Sequence, residues 1–358
     1  MFRRSVVVLT VIATFLLLIA CPLWAADTAQ ALTSKPHSFP LVGKYEVLCG
    51  DFHMHTLHSD GRPTTRQRVE ESYEMGYDVI AITDHGTARA YRVARYVGEP
   101  LGMVVLRGLE TGLQKKEHMN VIGVSSLYEP TDSHRWSETP NGETVYYQDE
   151  LNKIAKCGGF VIYNHPHVGF REPVEWGIKE GVIQGIEVKN DVVGDGWNTI
   201  KFNGISCYPN GFEYALQKNL TILADTDAHG NRRDEPAKTL ILATARTPES
   251  VMEALQSRRT AAWFDGMLWG REALLTDLLK ASVTVSLGEG CIVLENRSPV
   301  ALKGVITGSP ERQFELPAYQ KISIESSISN PLTIKWDNVW TSTTTNLTTI
   351  HKLPVAIK

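Results

Sequence analysis

The sequence predicts an α/β chain of βα units forming a parallel sheet or barrel, followed by a small antiparallel β domain. Three observations predict it. Short apolar runs alternate with helical patterns from about residue 45 to residue 279, which is the rhythm of βα units. After about Leu279 the runs alternate apolar and polar residues with turn signals between them, the period of half-buried antiparallel strands. Histidines and acids collect where the apolar runs end, and in parallel α/β architectures the C-terminal strand ends form the functional rim.

The elements follow in order. Val47 to His55 (VLCGDFHMH) reads as the first strand. Thr64 and Gln67 stand at capping-box spacing for a helix running towards Gly76, with Val69 and Tyr73 on one face. YDVIAITDH is the second strand, Met103 to Glu110 the third, and HMNVIGV the fourth. The polar stretch from Ser125 to Gln148 interrupts the rhythm and reads as a long loop, and loops of that length are often functional. In it Trp136, Tyr146 and Tyr147 are candidates to wall a pocket, with plain packing the equal alternative. A helix from Asp149 to Cys157 precedes GFVIYNH; VIQGIEV, a helix near Tyr208 to Lys218 and LTILADTDAH come next. Beyond residue 280 four alternating stretches predict a β-sandwich-like domain over 280–358.

The first 26 residues read as a secretory signal: Arg3 and Arg4, then the apolar run Val6 to Ala20, too short and one-sided for a membrane span. Cleavage after Ala25 or Ala26 would release the chain; the alternatives are lipidation at Cys21, with Pro22 favouring simple cleavage, and a retained anchor helix. Either exit predicts an exported protein, periplasmic or extracellular, with a polar leader over 27–44. Cys49, Cys157, Cys207 and Cys291 show no CxxC pairing, which argues against a zinc knuckle; separate buried thiols are expected, with two disulfides the alternative in an oxidising compartment. With 36 Lys+Arg against 40 Asp+Glu the net charge is -4, so the chain has no general attraction for nucleic acid. Its partner is expected to be a small-molecule ester.

The chemistry sits in the strand-end motifs. Asp51-Phe52-His53-Met54-His55 ends the first strand, and alternation puts His53 and His55 on one face with Phe52 and Met54 on the other. Asp60 follows in the loop, with His58. His85 ends the second strand, Glu110 the third; His118 opens the fourth; Asn164-His165-Pro166-His167 ends the fifth; Asp225-Thr226-Asp227-Ala228-His229 ends the last. A lone histidine is ordinarily a satisfied core residue, and a lone Asp before a loop a helix cap. That explanation fails for the set. Of 11 His, seven (His53, His55, His85, His118, His165, His167, His229) fall at strand ends or beginnings. Imidazole and carboxylate without thiolate suit Zn, Mn or Fe.

HMHTLHSDG, AITDHG, GLE, NHPH and DTDAHG resemble the successive motifs of the PHP (polymerase and histidinol phosphatase) superfamily, over roughly Leu48 to Gly266. EVLCGDFHMHT and ALQKNLTILADTDAHG are similar to its secreted phosphodiesterase branch and to related carbamate-hydrolysing metallohydrolases. The resemblance implies a distorted (β/α)7 barrel over 45–279 with two or three divalent metal ions at the strand C-termini. It further implies three ligand sets: His53, His55, Glu110 and Asp227; a bridging Glu110 with His118 and His165; and Asp60, His85 and His229.

Such a site is expected to hydrolyse phosphate esters, diesters above all, through metal-bound hydroxide. Asp227 and His167 are the candidates for proton transfer. Arg89, Arg92, Arg171, Arg232 and Arg233 are candidate grips for anionic oxygens, since guanidinium binds phosphate bidentately. Hydrolysis of a carbamate, amide or carboxylic ester at the same metals is one alternative, and a non-catalytic cell-envelope binding protein is another.

Overall fold

The structure is a computed structural model and describes residues 38–113, 117–131, 146–192, 200–231, 236–288, 290–308, 310–325 and 331–353. The signal segment, Cys21, Trp136, Arg232 and Arg233 lie outside the described residues.

Seven strands form the barrel wall: β1 (Glu46–Asp51), β2 (Val79–Ile82), β3 (Val104–Leu113), β4 (Glu117–Ile122), β5 (Phe160–Tyr163), β6 (Ile183–Asn190) and, after the hairpin β7 (Ile200–Phe202) and β8 (Ile205–Cys207), β9 (Thr221–Asp225). Nearly every residue of β1, β2, β5 and β9 is buried, as befits strands covered on both faces. Helices α1 (Thr65–Glu74), α2 (Tyr91–Gly98), α3 (Tyr147–Lys156), α4 (Glu172–Lys179) and α5 (Pro209–Gln217) pack outside. The capping box at Thr64 and Gln67 is present as read. Helix α3 begins two residues before the expected Asp149, because Tyr147 is buried against Trp176 and bonded to Glu172. Tyr147 is therefore packing and not a pocket wall, whereas Tyr146 is exposed.

The sheet is mixed where a parallel one was expected. Strands β1–β2–β3 and β5–β6–β9 pair in parallel, but β4 runs antiparallel to both β3 and β5. Only residues 114–116 separate β3 from β4, far too few for a crossover, so the chain must return as a hairpin. Backbone pairing opens between β9 and β1, and side chains close it. Thr239 Oγ1 accepts from Ala224 N at 2.9 Å and donates to Ala224 O at 3.0 Å; Asp225 Oδ1 accepts from Phe52 N at 2.8 Å; Thr226 Oγ1 donates to Asp51 Oδ2 at 2.6 Å. The barrel is distorted there.

The wall continues through β10 (Lys238–Ala243), helix α6 (Pro248–Gln256), β11 (Thr260–Phe264) and β12 (Met267–Gly270), with β10 antiparallel to β1. The expected boundary near residue 279 falls inside α7 (Glu272–Ser282). Beyond it lie β13 (Val283–Gly288), β14 (Cys291–Asn296), β15 (Leu302–Thr307), β16 (Arg312–Leu316), β17 (Lys321–Glu325), β18 (Leu332–Ser342) and β19 (Thr345–His351). They form two antiparallel sheets, β13–β14–β17 and β16–β15–β18–β19. The second joins the barrel sheet, because β18 pairs in parallel with β12 at Leu268–Val339 and Trp269–Trp340. One apolar core runs from Val47 and Trp263 through Leu278 to Leu294 and Trp336. Cys49, Cys157, Cys207 and Cys291 are separate thiols.

Trp269 locks β12 to the helical layer: it stacks on Phe212 at 4.8 Å and meets Phe202 and Phe264 edge-on. Trp269→Ala should cost about 3–5 kcal/mol, the usual range for a buried aromatic, read as a lower urea midpoint with an unchanged slope. A shift worth less than about 1 kcal/mol, within the range of surface substitutions, would show that this layer does not carry stability.

Candidate metal centre

The site is assembled by backbone turns at the strand ends. Strand β1 stops at Asp51, whose carboxylate accepts from His53 N at 3.1 Å. The expected alternation breaks there: Phe52 packs into the barrel interior while Met54 packs beneath α1 and α2. An Asx-type turn at the strand's last residue re-aims the chain, yet His53 and His55 still converge, with Nε2 atoms 3.2 and 3.0 Å from Asp227 Oδ1. Asp227 and His165 are non-glycine residues with positive φ, 53° and 27°. Such conformations persist only where the surroundings hold them. Asp227 N donates to His53 O at 2.7 Å, and the Met54–Ala228 bridge continues that seam.

The loop carrying Asp60 is folded by Asp84. Its carboxylate accepts from Thr56 N, Thr56 Oγ1 and Ser59 Oγ at 2.7, 2.7 and 2.9 Å. Gly61 lies flush on the chain before it: a Cβ there would sit 2.3 Å from the His55 carbonyl carbon. Asp60 thereby reaches His229 Nε2 at 3.3 Å and His85 Nε2 at 3.4 Å. Arg68, buried on α1, donates to the carbonyls of His55, Ala228 and Gly230 and pins both loops.

Glu110 occupies the centre. Oε1 stands 3.2 Å from His118 Nδ1, 3.5 Å from His53 Nε2 and 3.6 Å from His165 Nε2, while Oε2 stands 2.8 Å from His85 Nδ1 and 3.5 Å from His55 Nε2. His118 opens its strand yet belongs to the rim, because antiparallel β4 starts where β3 ends. Its partner across the ladder is Gly112, two residues beyond Glu110.

Three groups of ligand atoms close enough to share an ion result: His55, Asp60, His85 and His229; His53, His55 and Asp227; His53, Glu110 and His165. All nine residues read as ligands lie in this one constellation. The groups overlap the ligand sets implied by resemblance but redistribute them, with His55 facing Asp60 and His53 facing His165.

The donor set fits divalent ions. Among the described residues, His53 Nε2, His55 Nε2, Glu110 Oε2 and Asp227 Oδ1 are buried without a hydrogen-bond partner, a costly condition unless a further group completes them. Ligands held at ~2.0–2.1 Å from one tetrahedral ion stand roughly 3.3 Å apart, close to the spacings found. Electrostatics point the same way. Burial opposes charge on His53, yet Asp227, Glu187 and Glu110 raise it well above an ordinary imidazole. His85 is pushed up to about 9, its burial outweighed by Asp60 and Glu110. Burial works against ionised Glu110 and Asp227 too, and the histidines, His53 foremost, hold both low. The carboxylates demand positive charge, which protons or cations can supply.

The other candidates part company. His167 is beside the cluster, its Nδ1 2.7 Å from His165 O and 3.3 Å from His165 Nδ1. Arg171 is paired with buried Glu117 at 3.0 Å, so its guanidinium ties the N-terminus of α4 to β4. Arg89 is exposed and lines a cavity of about 590 Å³ with Thr87, Arg107 and Tyr128; Arg92 is exposed on α2. Sequence reading passed over Glu187, Asn190, Asp84 and Arg68. Glu187 alone carried a signal, a carboxylate near the end of an otherwise apolar strand, as in Glu110.

Comparison with known proteins places the chain in a family and matches its fold. The family model described as PHP domain matches residues 51–248, more than half of the chain. A phosphoribosyl 1,2-cyclic phosphate 1,2-diphosphodiesterase of Eggerthella lenta is 34% identical over 79 residues, 21% of this chain and 30% of that protein. A PolC-type DNA polymerase III of Staphylococcus epidermidis is 27% identical over 154 residues, 40% of this chain and 10% of that protein. The chain thus spans less than a third of the length of these curated relatives. A solved two-domain protein of Bacteroides vulgatus, containing a predicted PHP-like metal-dependent phosphoesterase, covers 90% of this chain and 99% of its own at 24% identity and a TM-score of 0.73. It shows the same fold across both regions.

Because both oxygens of Glu110 face different histidines, Glu110→Gln should lower bound metal by more than one ion per chain, measured by elemental analysis of the folded variant. Loss of one ion alone would show that Glu110 does not bridge.

Proposed function

This chain belongs to the PHP domain family, and from that premise we propose that it is a metal-dependent phosphoesterase, a phosphodiesterase in particular. The observation that carries the reading is the set of four buried ligand atoms, on His53, His55, Glu110 and Asp227, that have no hydrogen-bond partner among the described residues. The segment shared with a cyclic-phosphate diphosphodiesterase supports the diester preference. We assign two or three divalent ions, Zn, Mn or Fe, to the groups around Asp227, Glu110 and Asp60.

Such ions, when bound, acidify water and withdraw charge from ester oxygens. The chain's own residues do the rest. His53, His55 and Asp227, buried and held by the seam between β1 and β9, fix the reacting region in place and exclude solvent from beneath it. Asp227 Oδ2, which accepts from Asn190 Nδ2 at 3.3 Å, is the acceptor we assign for the proton leaving the attacking water. His167 has Nδ1 engaged by the His165 carbonyl, and Nε2 of its protonated imidazolium is the atom we assign to pass a proton to the departing oxygen, leaving the ring neutral. Arg89, exposed beside the loop that follows His85, is the cation we assign to the anionic substrate.

We also propose that the protein acts outside the cytoplasm. The basic pair Arg3 and Arg4 before the apolar run Val6 to Ala20 supports this. Among the described residues no helix is long and apolar enough to cross a membrane.

His55→Ala and Asp227→Ala should each reduce hydrolysis of bis(p-nitrophenyl) phosphate to background while leaving the far-UV circular dichroism unchanged, since rim ligands are not core packing. Near-normal turnover in the purified double variant would remove the site assignment. Faster turnover of the monoester, or of an aryl carbamate, would overturn the diester preference and leave the metal centre standing.

A further inference from the structure

None of the nine ligand positions lies on β6, the strand between β5 and β9 in the barrel wall. Its end is nevertheless turned into the site. Glu187 and Asn190 are three residues apart, which in a regular strand places them on opposite faces. A register shift against β9 between Glu187 and Lys189 adds a residue and brings both to the same side. Glu187 is fully buried. Its Oε1 is 2.5 Å from His53 Nδ1; its Oε2 accepts from His165 N at 2.6 Å and from Asn190 Nδ2 at 3.1 Å. Asn190 Nδ2 is also 3.3 Å from Asp227 Oδ2, and its Oδ1 accepts from Val192 N at 3.1 Å, which sets the amide's orientation.

We propose that Glu187, seconded by Asn190, is the positioning residue of the metal centre: one carboxylate from the ligand-free strand holds ligands of three other strands in their binding geometry. Resting on the metal-centre reading above, this assigns three tasks. Accepting from Nδ1–H of His53 leaves the Nε2 lone pair for an ion, the state that a ligating imidazole needs. Accepting from His165 N holds a backbone at φ 27° that would otherwise relax. Through Asn190 the same carboxylate is linked to Asp227.

The chemistry requires a carboxylate. Three donors converge on Glu187, and an ionised carboxylate is an acceptor at both ends. Glutamine has the same size but one acceptor; whichever way its amide turns, an NH2 faces a donor. Glu187→Gln should therefore weaken binding of added Zn²⁺ about 10- to 100-fold, the usual loss for a group that orients a metal ligand, by chelator competition. The metal-free variant should melt within a few degrees of the wild type. An unchanged dissociation constant would overturn the proposal, and so would weakened binding that merely tracks a collapsed metal-free fold. Should the variant fail to fold, Asn190→Ala decides, with weaker Zn²⁺ binding expected and unchanged binding overturning it. A wild type that binds no Zn²⁺ or Mn²⁺ would remove the phosphoesterase reading instead. The positioning role would then be read in metal-free protein by NMR: a far-downfield Nδ1 proton of His53, present in the wild type and lost in Glu187→Gln. Its absence from the wild type overturns the role.

Discussion

Uncompensated negative charge at the mouth of the barrel is the constraint on which this structure turns. Glu110 and Asp227 are buried carboxylates surrounded by imidazoles, with Asp60 half-exposed above them. Removing a carboxylate from water is expensive unless positive charge and hydrogen bonds accompany it. Here the neighbours are imidazoles, which bind a metal ion by releasing a proton to solvent. Among the described residues, the Nε2 atoms of His53 and His55, and Asp227 Oδ1 between them, have no hydrogen-bond partner. A barrel that had no use for cations would have every reason to lose this cluster.

The architecture serves that demand. Seven of the nine ligands stand just past a strand end, where the backbone is free to leave regular geometry while the wall beneath stays rigid; Glu110 and His118 sit within the paired β3–β4 hairpin. The Asx turn at Asp51, the left-handed residues at His165 and Asp227 and the bulge near Glu187 are all local departures from strand geometry. They lie above an interior filled by Leu48, Phe52, Phe160 and Leu223. Strain is concentrated at the rim, and the packed floor holds it there. The C-terminal sheets extend the wall through β18 and share its core, which gives the barrel a broad apolar buttress away from the site.

Much of this was legible in the residues. Period and run length placed the strands, and the clustering of His and acids at their ends located the rim. The ligands were readable because each has a chemically distinctive side chain next to a strand end. The direction of β4 is written only in how few residues follow Leu113, so a parallel reading was natural. Arg171 shows the opposite difficulty: a cation near a predicted site looks like a substrate grip, and only three dimensions reveal Glu117 opposite it. Glu187 was marked only as a carboxylate near the end of an apolar strand, and nothing joined it to Asn190: period-two alternation assigns them to different faces, and the bulge that reunites them leaves no mark in composition.

The most direct test of the cation-demanding cluster is anomalous diffraction from crystals of protein grown with Zn²⁺ or Mn²⁺. The account predicts two or more anomalous peaks, each touching atoms of Glu110, Asp227 or Asp60 together with their histidines. Crystals without such peaks, in which protonated histidines are bonded directly to those carboxylates, would contradict it.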